Sequence, residues 1–224
     1  MCFMCFMLDK TAKLAIDFYR KLGPEGMASL TDKRKDKALL KYIIKFLKKS
    51  DKVLDLACGY GRITIPLAKK GYRIEGLDIS PNLIKEAKKR AKKLRLKLKF
   101  KIADMRALPY KDNSFDKILC LWSSFNHLLT FKDQLRAINE IYRVLREKGV
   151  CIIELPNLES KWARVNVKKY GRRPPFFING LKVINYVHDR STLNKLAKKS
   201  KFKKYKIKFA NIAGRRRTIF ILGK

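Results

Sequence analysis

The chain has 224 residues, 46% of them hydrophobic, which is enough for one sizeable α/β domain. No run of 18 or more apolar residues occurs, so no membrane-spanning segment is expected. The 55 lysines and arginines outnumber the 19 aspartates and glutamates and leave a formal net charge of +36. A charge of this size indicates a polyanionic partner, with nucleic acid as the first choice, or else a solvated basic surface suited to a salty cytoplasm.

The first fifty residues predict a helical cover, because they show helical spacing of apolar residues and no strand alternation. One helix is expected over Lys10–Leu22, ending at Gly23-Pro24, and a second over Ala38–Leu47. These helices should cover one edge of the sheet predicted below.

The next element is a strand near residues 52–56 that runs into a glycine turn. Its apolar run ends at Asp55, and Gly59-Tyr60-Gly61 then precede a helical pattern. A strand, a tight turn and a helix start bring backbone N–H groups close to a ligand, and glycine leaves room for it. Structural turns also use Gly-x-Gly, but a second strand near residues 72–77 ends at Asp78. A carboxylate about 20 residues after such a turn is where the ribose hydroxyls of a nucleoside would lie.

Strand and helix alternate along most of the remaining chain. Further strands are expected near residues 97–102, 116–121, 149–155, 204–211 and 216–223, and helices near 61–70, 81–94, 131–146 and 190–199. The alternation predicts an α/β fold with a doubly wound, mostly parallel seven-stranded sheet and helices on both faces. Ala213-Gly214 links the last two strands as a hairpin, which makes the last strand antiparallel and places it at the sheet edge. The expected division is 1–50 cover, 51–155 core, 156–189 small cap, and 190–224 completing the same domain.

The core resembles class I S-adenosylmethionine-dependent methyltransferases, in particular the type 11/25 group. Four motifs carry the resemblance in the family's order: the glycine turn, the second-strand acid, Ala103-Asp104-Met105 after the third strand, and residues 113–118 at the start of the fourth. The resemblance covers about residues 38–155 and implies S-adenosyl-L-methionine as cofactor.

The resemblance also implies which residues hold the cofactor. The glycine turn would approach the methionine portion, Asp78 the ribose, and the next two motifs the adenine. The residues implied are Asp55, Ala57, Gly59, Gly61, Asp78, Ile79, Asp104, Met105, Leu121 and Trp122. If the first helix covers the cofactor, Tyr19 and Arg20 should face it.

Catalytic residues are harder to predict, because methyl transfer needs mainly alignment of the reacting groups. The end of the fourth strand lacks the Asp/Asn-Pro-Pro-Tyr sequence of enzymes that methylate exocyclic amino groups of bases, and Cys120 and Cys151 lie inside predicted strands. Nitrogen, oxygen or carboxylate methylation remains. His127 is the candidate general base and Asn126 the candidate orienting residue, although each has an equally simple structural role.

The stretch 156–189 breaks the rhythm of strands and helices and interleaves aromatic residues with bases. It follows the fifth strand, at the sheet edge where ligands bind in open α/β folds. We therefore expect a substrate-side cap, with Trp162, Arg172, Arg173 and His188 as candidate substrate-binding residues. Its aromatics could instead pack on the sheet while its bases face solvent.

The five cysteines, at positions 2, 5, 58, 120 and 151, indicate a reducing compartment. Their number is odd, and three of them fall in predicted strands or the glycine turn. Cys2 and Cys5 have no second pair of ligands nearby, so no metal is expected. We predict a cytoplasmic protein without a membrane partner.

Three functions remain open from the sequence. The first is a methyltransferase acting on RNA, above all tRNA, for which the net charge and the cap are the arguments. The second is a methyltransferase for a small anionic metabolite, with Arg172 and Arg173 gripping the anion and a basic surface of the kind found in thermophiles. The third is a binding protein that kept the fold without catalysis.

Overall fold

A computed structural model of the chain describes residues 10–30 and 32–224. The first two cysteines lie outside these ranges, so the expectation for them stays a prediction. Within the described ranges the chain forms no helix that is long and apolar enough to cross a membrane.

Within residues 10–30 and 32–224 the chain forms nine strands in two sheets. Their bounds are β1 Lys52–Leu56, β2 Arg73–Asp78, β3 Phe100–Ile102, β4 Phe115–Cys120, β5 Leu145–Leu155, β6 Pro175–Ile178, β7 Leu181–Ile184, β8 Lys204–Ile212 and β9 Arg215–Gly223. The larger sheet has the order β3-β2-β1-β4-β5-β9-β8, with β1 to β5 parallel and β9 antiparallel to both its neighbours. The predicted seven-stranded sheet is confirmed. The expectation that the antiparallel strand forms the edge is wrong, because β9 lies between β5 and β8.

The described part of the chain also forms seven α-helices. They are α1 Lys10–Ser29, α2 Lys33–Ile44, α3 Thr64–Lys69, α4 Pro81–Lys93, α5 Phe131–Val144, α6 Lys161–Tyr170 and α7 Arg190–Lys199. The start of α4 shows why the sequence folds this way locally. The Ser80 hydroxyl accepts from the Leu83 N–H, and Pro81 occupies the first helical position, where its missing N–H costs nothing.

The first helix is interrupted where the sequence predicted its end. Gly23 has φ 64° and ψ 172°, a conformation outside the helical region, and Pro24 begins a second helical segment that reaches Ser29. The chain therefore bends at Gly23 and continues as a helix. This bend keeps residues on both sides of it over the same cavity.

Both faces of the large sheet are buried, as the alternation along β4 shows. Ile118 belongs to the cluster that α5 and α7 complete with Ile138 and Leu193, whereas Leu119 belongs to the cluster that α2 completes with Leu39. Successive residues of a strand point to opposite faces, so the two clusters are the two layers of a doubly wound fold.

The cap consists of α6 and the hairpin of β6 and β7. Phe176 and Ile178 of the hairpin pack with Val183 against Phe18 and Leu22 of α1. The hairpin and α1 thus meet above the carboxyl ends of the large sheet.

Candidate functional site

A tight turn joins β1 to the residues that precede α3. Ala57, Gly59 and Gly61 adopt positive φ values of 61°, 54° and 85°. A Cβ added to Gly59 would have one neighbour within 4 Å, Leu83 Cδ1 at 3.9 Å. The space beside the Gly59 backbone is therefore open to a ligand.

Asp78 ends β2 directly beside this turn. One of its oxygens accepts from the Gly59 N–H at 2.8 Å and the other from the Ser80 N–H at 2.8 Å. The side chain is buried, and burial raises the pKa of its carboxyl despite these two donors. Each oxygen keeps a free lone pair for a further donor.

Asp55 lies deeper, at the end of β1. Its carboxylate accepts from the Thr64 hydroxyl at 2.6 Å, and burial raises its pKa to about 7. This hydrogen bond joins the strand to the start of α3, so it holds the two ends of the glycine turn together.

A cavity of about 350 Å³ opens beside these groups, within the size range of small-molecule sites. The sheet forms its floor, α1 its roof, and β6 with the end of β4 its far wall. Of the predicted cofactor residues it is lined by Asp55, Ala57, Gly59, Asp78, Ile79, Met105, Leu121 and Trp122. Asp78, Ile79 and Met105 also line an adjoining chamber of about 50 Å³.

The other two predicted cofactor residues, Gly61 and Asp104, lie outside the main cavity. Gly61 does not line the main cavity, and its N–H donates to Cys58 O at 3.0 Å within the turn. Asp104 lines the small chamber, but both its oxygens accept from the Arg106 guanidinium, which also donates to Asp133 at 2.7 Å. Asp104 therefore has a structural role that the sequence motif did not show.

The end of β4 presents a strained turn to the cavity. Trp122 and Ser123 have positive φ values of 55° and 63°, unusual for residues with side chains. Glu154, at the end of β5, accepts from the Trp122 N–H at 2.7 Å through its side chain and from the Ser123 N–H at 3.2 Å through its carbonyl. Arg217 pairs with the Glu154 carboxylate and donates to the Ser123 hydroxyl at 2.9 Å. A buried ion pair thus fixes the turn that carries Trp122.

The candidate general base meets the helix above it. His127 Nε2 lies 2.7 Å from the Tyr19 hydroxyl, and both residues line the cavity. Burial lowers the pKa of His127 to about 4 and raises that of Tyr19. At neutral pH the pair is an uncharged phenol and an uncharged imidazole. The expectation for Arg20 is wrong, because its exposed side chain pairs with Asp17.

Asn126 lines the same cavity one residue earlier. Its carbonyl accepts from the Tyr186 N–H at 2.7 Å, which ties the 3₁₀ turn Ser124–His127 to the segment after β7. Its Oδ1 is buried and has no hydrogen-bond partner among residues 10–30 and 32–224.

The four predicted cap residues do not line the cavity. Trp162 is 46% exposed and stacks on Phe176 at 4.8 Å, while Arg172 pairs with Asp189 and donates to the Val187 carbonyl. Arg173 is exposed. His188 is buried against Phe125 and Tyr186 at ring distances of 5.7 and 4.8 Å. The residues of the 156–189 stretch that do line the cavity include Phe176, Ile178 and Asn185.

The residues present fit S-adenosylmethionine. The open space at Gly59 suits a close approach of the backbone, and the free lone pairs of Asp78 suit a diol. The buried Trp122 Nε1 also has no partner in the described part of the chain, which leaves a donor for a ligand.

Comparison with known proteins agrees with this geometry. The model of a methyltransferase domain family matches residues 53–149, which hold the glycine turn, Asp78 and the end of β4. The uncharacterized protein MJ0638 of Methanocaldococcus jannaschii is 32% identical over 182 residues, which cover 75% of each chain. The chain belongs to the class I S-adenosylmethionine-dependent methyltransferases.

Other relatives place this methyltransferase in a broad group. The putative methyltransferase YqeM of Bacillus subtilis is 31% identical over 135 residues, 58% of this chain, and the chain spans about half, 54%, of that relative's length. The PH0226 protein of Pyrococcus horikoshii shares the fold at a TM-score of 0.73 and 23% identity, with 92% of this chain and 98% of that chain covered. Solved structures with this fold include S-adenosylmethionine-dependent methyltransferases, one with the cofactor bound.

Sequence reasoning missed several residues at the site. Arg62, Asn185, Glu154 and Arg217 were not singled out, and each lines the cavity or holds its wall. Glu154 carried a usable signal, since it is an acid at the end of a core strand that is otherwise apolar. Arg217 carried none, because it is one of three successive arginines in a basic chain.

Proposed function

We propose that this methyltransferase transfers a methyl group to a nitrogen or oxygen atom of a small acceptor molecule that enters the cavity under α1. The observation that carries the proposal is the enclosure of the cavity. Phe18, Leu22 and Met27 of α1 and Phe176 and Ile178 of β6 bound it away from the cofactor residues. An apolar enclosure of this kind suits a compact acceptor with an apolar body.

S-adenosylmethionine, when bound, supplies an electrophilic methyl group. The chain's own residues would do the rest by position. Asp78 and the Gly59 backbone would hold the nucleoside end, and Ile79 and Met105 would flank the adenine. Leu121 and Trp122 would lie beneath the methionine portion. The ion pair of Glu154 and Arg217 would keep that wall rigid while the acceptor aligns.

A nitrogen or oxygen acceptor also has to lose a proton. We assign this role to His127, because it lines the cavity beside α1 and its imidazole is uncharged at neutral pH. Its low pKa makes it a weak base, so alignment would contribute more than proton removal. For Nδ1 to accept the proton, Nε2 would carry the ring hydrogen and donate it to the Tyr19 hydroxyl, and this hydrogen bond would orient the imidazole.

The expectation of an RNA substrate depends on the net charge, and the cap supports it less than the sequence suggested. Arg172 is neutralised by Asp189, and Trp162 has one face against Phe176. Because Arg172 is already paired with Asp189, the cap also gives little support to an anionic metabolite as the substrate. A basic surface suited to the cytoplasm accounts for the net charge of +36 without a polyanionic partner. A reducing compartment such as the cytoplasm also suits the buried free thiols of Cys58, Cys120 and Cys151.

The test is transfer of labelled methyl groups from S-adenosylmethionine to two acceptor pools from the source cells, total RNA and a small-metabolite filtrate. Label in the metabolite pool alone is the expected result. The Asp78→Ala variant is the control for transfer by a contaminating enzyme. Label in RNA alone would overturn the small-acceptor proposal and establish the RNA reading.

A further inference from the structure

We infer that the acceptor subsite selects an uncharged group that can form hydrogen bonds, such as an amide, and that the Asn126 side chain recognises it. This inference depends on the proposed function and names the substrate class for that same cavity. Three kinds of observation carry it: unpaired neutral polar atoms, the fixed position of Asn126, and the charges on the cavity wall.

The first observation is that three of the five neutral side chains with a buried, unpartnered polar atom in the described ranges line this cavity, whereas Tyr110 and His188 lie elsewhere. The buried atoms Asn126 Oδ1, Asn185 Oδ1 and Trp122 Nε1 lack hydrogen bonds to any described residue, and all three side chains line it. A buried polar atom without a partner is costly, so a native protein keeps such atoms where a ligand or water completes them. Two acceptors and one donor match a ligand that both donates and accepts.

The second observation is the position of Asn126. The residue is 5% exposed, so almost all of its surface is covered by protein. Its backbone N–H donates to Ser123 O at 3.0 Å and its carbonyl accepts from the Tyr186 N–H at 2.7 Å. The side chain is therefore carried by a turn fixed at both ends, whereas its amide oxygen is left unpaired. A rigid backbone with an unsatisfied amide is suited to recognition.

The third observation concerns charge. Among the residues that the structure describes, the charged side chains on the main cavity are Asp55, Asp78 and Arg62. The two acids lie at the glycine turn. Arg62 pairs with Asp36 and stacks over the Trp122 ring at 4.2 Å, so its charge is already compensated, although its Nε has no acceptor within the described ranges. The rest of the wall is apolar or neutral.

These charges disfavour both kinds of ion as the acceptor. A carboxylate or phosphate would give up its hydration without an uncompensated cation to pair with. An ammonium group would give up its hydration without a free carboxylate to pair with, because both acids lie at the glycine turn, where the cofactor would bind. An uncharged amide loses less hydration and gains the unpaired Asn and Trp atoms.

The test uses three probes that share a phenyl ring: benzamide, benzoate and benzylammonium. Their affinities are measured by ligand-observed NMR on protein saturated with S-adenosylhomocysteine, at neutral pH. Benzamide should bind at least about tenfold tighter than either ion, a difference of about 1.4 kcal/mol. Asn126→Leu should remove most of that preference, whereas Asn166→Leu, on the exposed helix α6, should keep it. Asn126→Asp should move the preference to benzylammonium.

The readouts separate the two claims. If S-adenosylhomocysteine does not bind, the proposed function fails and the inference fails with it. If it binds, and the variants bind it with unchanged affinity, the probes report on the acceptor subsite alone. Equal binding of benzoate and benzamide, no binding of benzamide, or a preference that Asn126→Leu leaves intact would each overturn the inference while the proposed function stands.

Discussion

At the scale of single residues, Asp78 is the side chain that we propose to bind the ribose of the cofactor. Replacing it with alanine removes the proposed acceptor for the ribose and two internal hydrogen bonds, one from the Gly59 N–H of the glycine turn and one from the Ser80 N–H at the start of α4. The Asp78→Ala variant should bind S-adenosylhomocysteine at least about tenfold more weakly, about 1.4 kcal/mol or more, when measured by calorimetry. Asp112→Ala is the matched control, because that side chain is 68% exposed and lines neither chamber of the cavity. An unchanged dissociation constant would remove Asp78 from the ribose site.

A second prediction at the scale of single residues concerns His127. His127→Asn should lower kcat by about a hundredfold if the imidazole accepts the acceptor's proton, and should leave the affinity for S-adenosylhomocysteine unchanged. Because its pKa is about 4, the His127 ring should produce no inflection in kcat between pH 6 and 8. Tyr19→Phe keeps the aromatic ring over the cavity but removes the hydrogen bond to His127. We expect a smaller loss of kcat, and its size measures how much the orientation of the imidazole contributes. If His127→Asn keeps the full kcat, the imidazole accepts no proton, and alignment of the reacting groups alone accounts for catalysis.

The buried imidazole of His188 should make the free energy of unfolding depend on pH. Burial, and secondarily the nearby Arg172, lowers its pKa to about 3, whereas in the unfolded chain it is about 6.5. The unfolded state thus binds the proton more tightly, so stability is lost as pH falls from about 6.5 towards 3. Relative to His188→Phe, the wild type should lose about 1.4 kcal/mol of unfolding free energy per pH unit over that window. Denaturant unfolding of both proteins measures this difference, and a difference that stays constant with pH would contradict it.

The sequence predicted the cavity residues around the glycine turn better than those on the far wall, for a physical reason. Asp78 and Gly59 line the cavity because they lie at the end of a strand and in a tight turn, which spacing reveals. Asn126 and Asn185 come together because a hairpin folds back over the sheet, and no local pattern records that contact. Arg172 looked available because its partner, Asp189, lies 17 residues further along the chain, where no local pattern records the contact.

At the scale of elements, the turn after β4 depends on support from β5 and β9. Arg217→Met leaves the Glu154 carboxylate buried and unpaired, since the side chain of Glu154 is 1% exposed. The variant should lose about 3 kcal/mol or more of unfolding free energy and should lower methyl transfer more than cofactor affinity. Arg216→Met is the neighbouring control, because that arginine is half exposed and pairs with Glu159 on the surface.

A double variant separates the ion pair from the packing around it. Glu154→Gln with Arg217→Met removes the unpaired charge and should recover part of the stability that Arg217→Met loses. A double variant less stable than Arg217→Met would show that packing, and not the buried charge, dominates at this position.

Elements of the core were predicted within a few residues, whereas the cap was not. Strands β1 and β9 and helix α7 follow clear apolar periods and agree with the structure. The cap holds a helix and a hairpin that periodicity missed, because its apolar residues face α1 on one side and solvent on the other. Asn179-Gly180, the turn of that hairpin, was a usable signal, since Asn-Gly favours a two-residue hairpin turn.

At the scale of the whole molecule, the net charge of +36 should govern the response to salt. Repulsion among unpaired bases disfavours the compact state and is screened over about 10 Å at 0.1 M salt. Raising sodium chloride from 50 mM to 500 mM should therefore raise Tm, by about 2–4 °C for each 1 kcal/mol regained. Potassium chloride should act equally, because the effect is screening. A Tm that falls with salt would mean that surface ion pairs outweigh the repulsion.

The measurement that tests the central claim most directly is a calorimetric titration of S-adenosylhomocysteine into the purified protein at neutral pH. The arrangement of Asp78, the glycine turn and the enclosed cavity predicts one site per chain, with a dissociation constant in the range of about 1–100 μM, equivalent to about −8 to −5.5 kcal/mol. Saturation should also raise Tm, because the ligand binds the folded state. No heat of binding and no rise in Tm at millimolar ligand would contradict the assignment of this cavity to the cofactor.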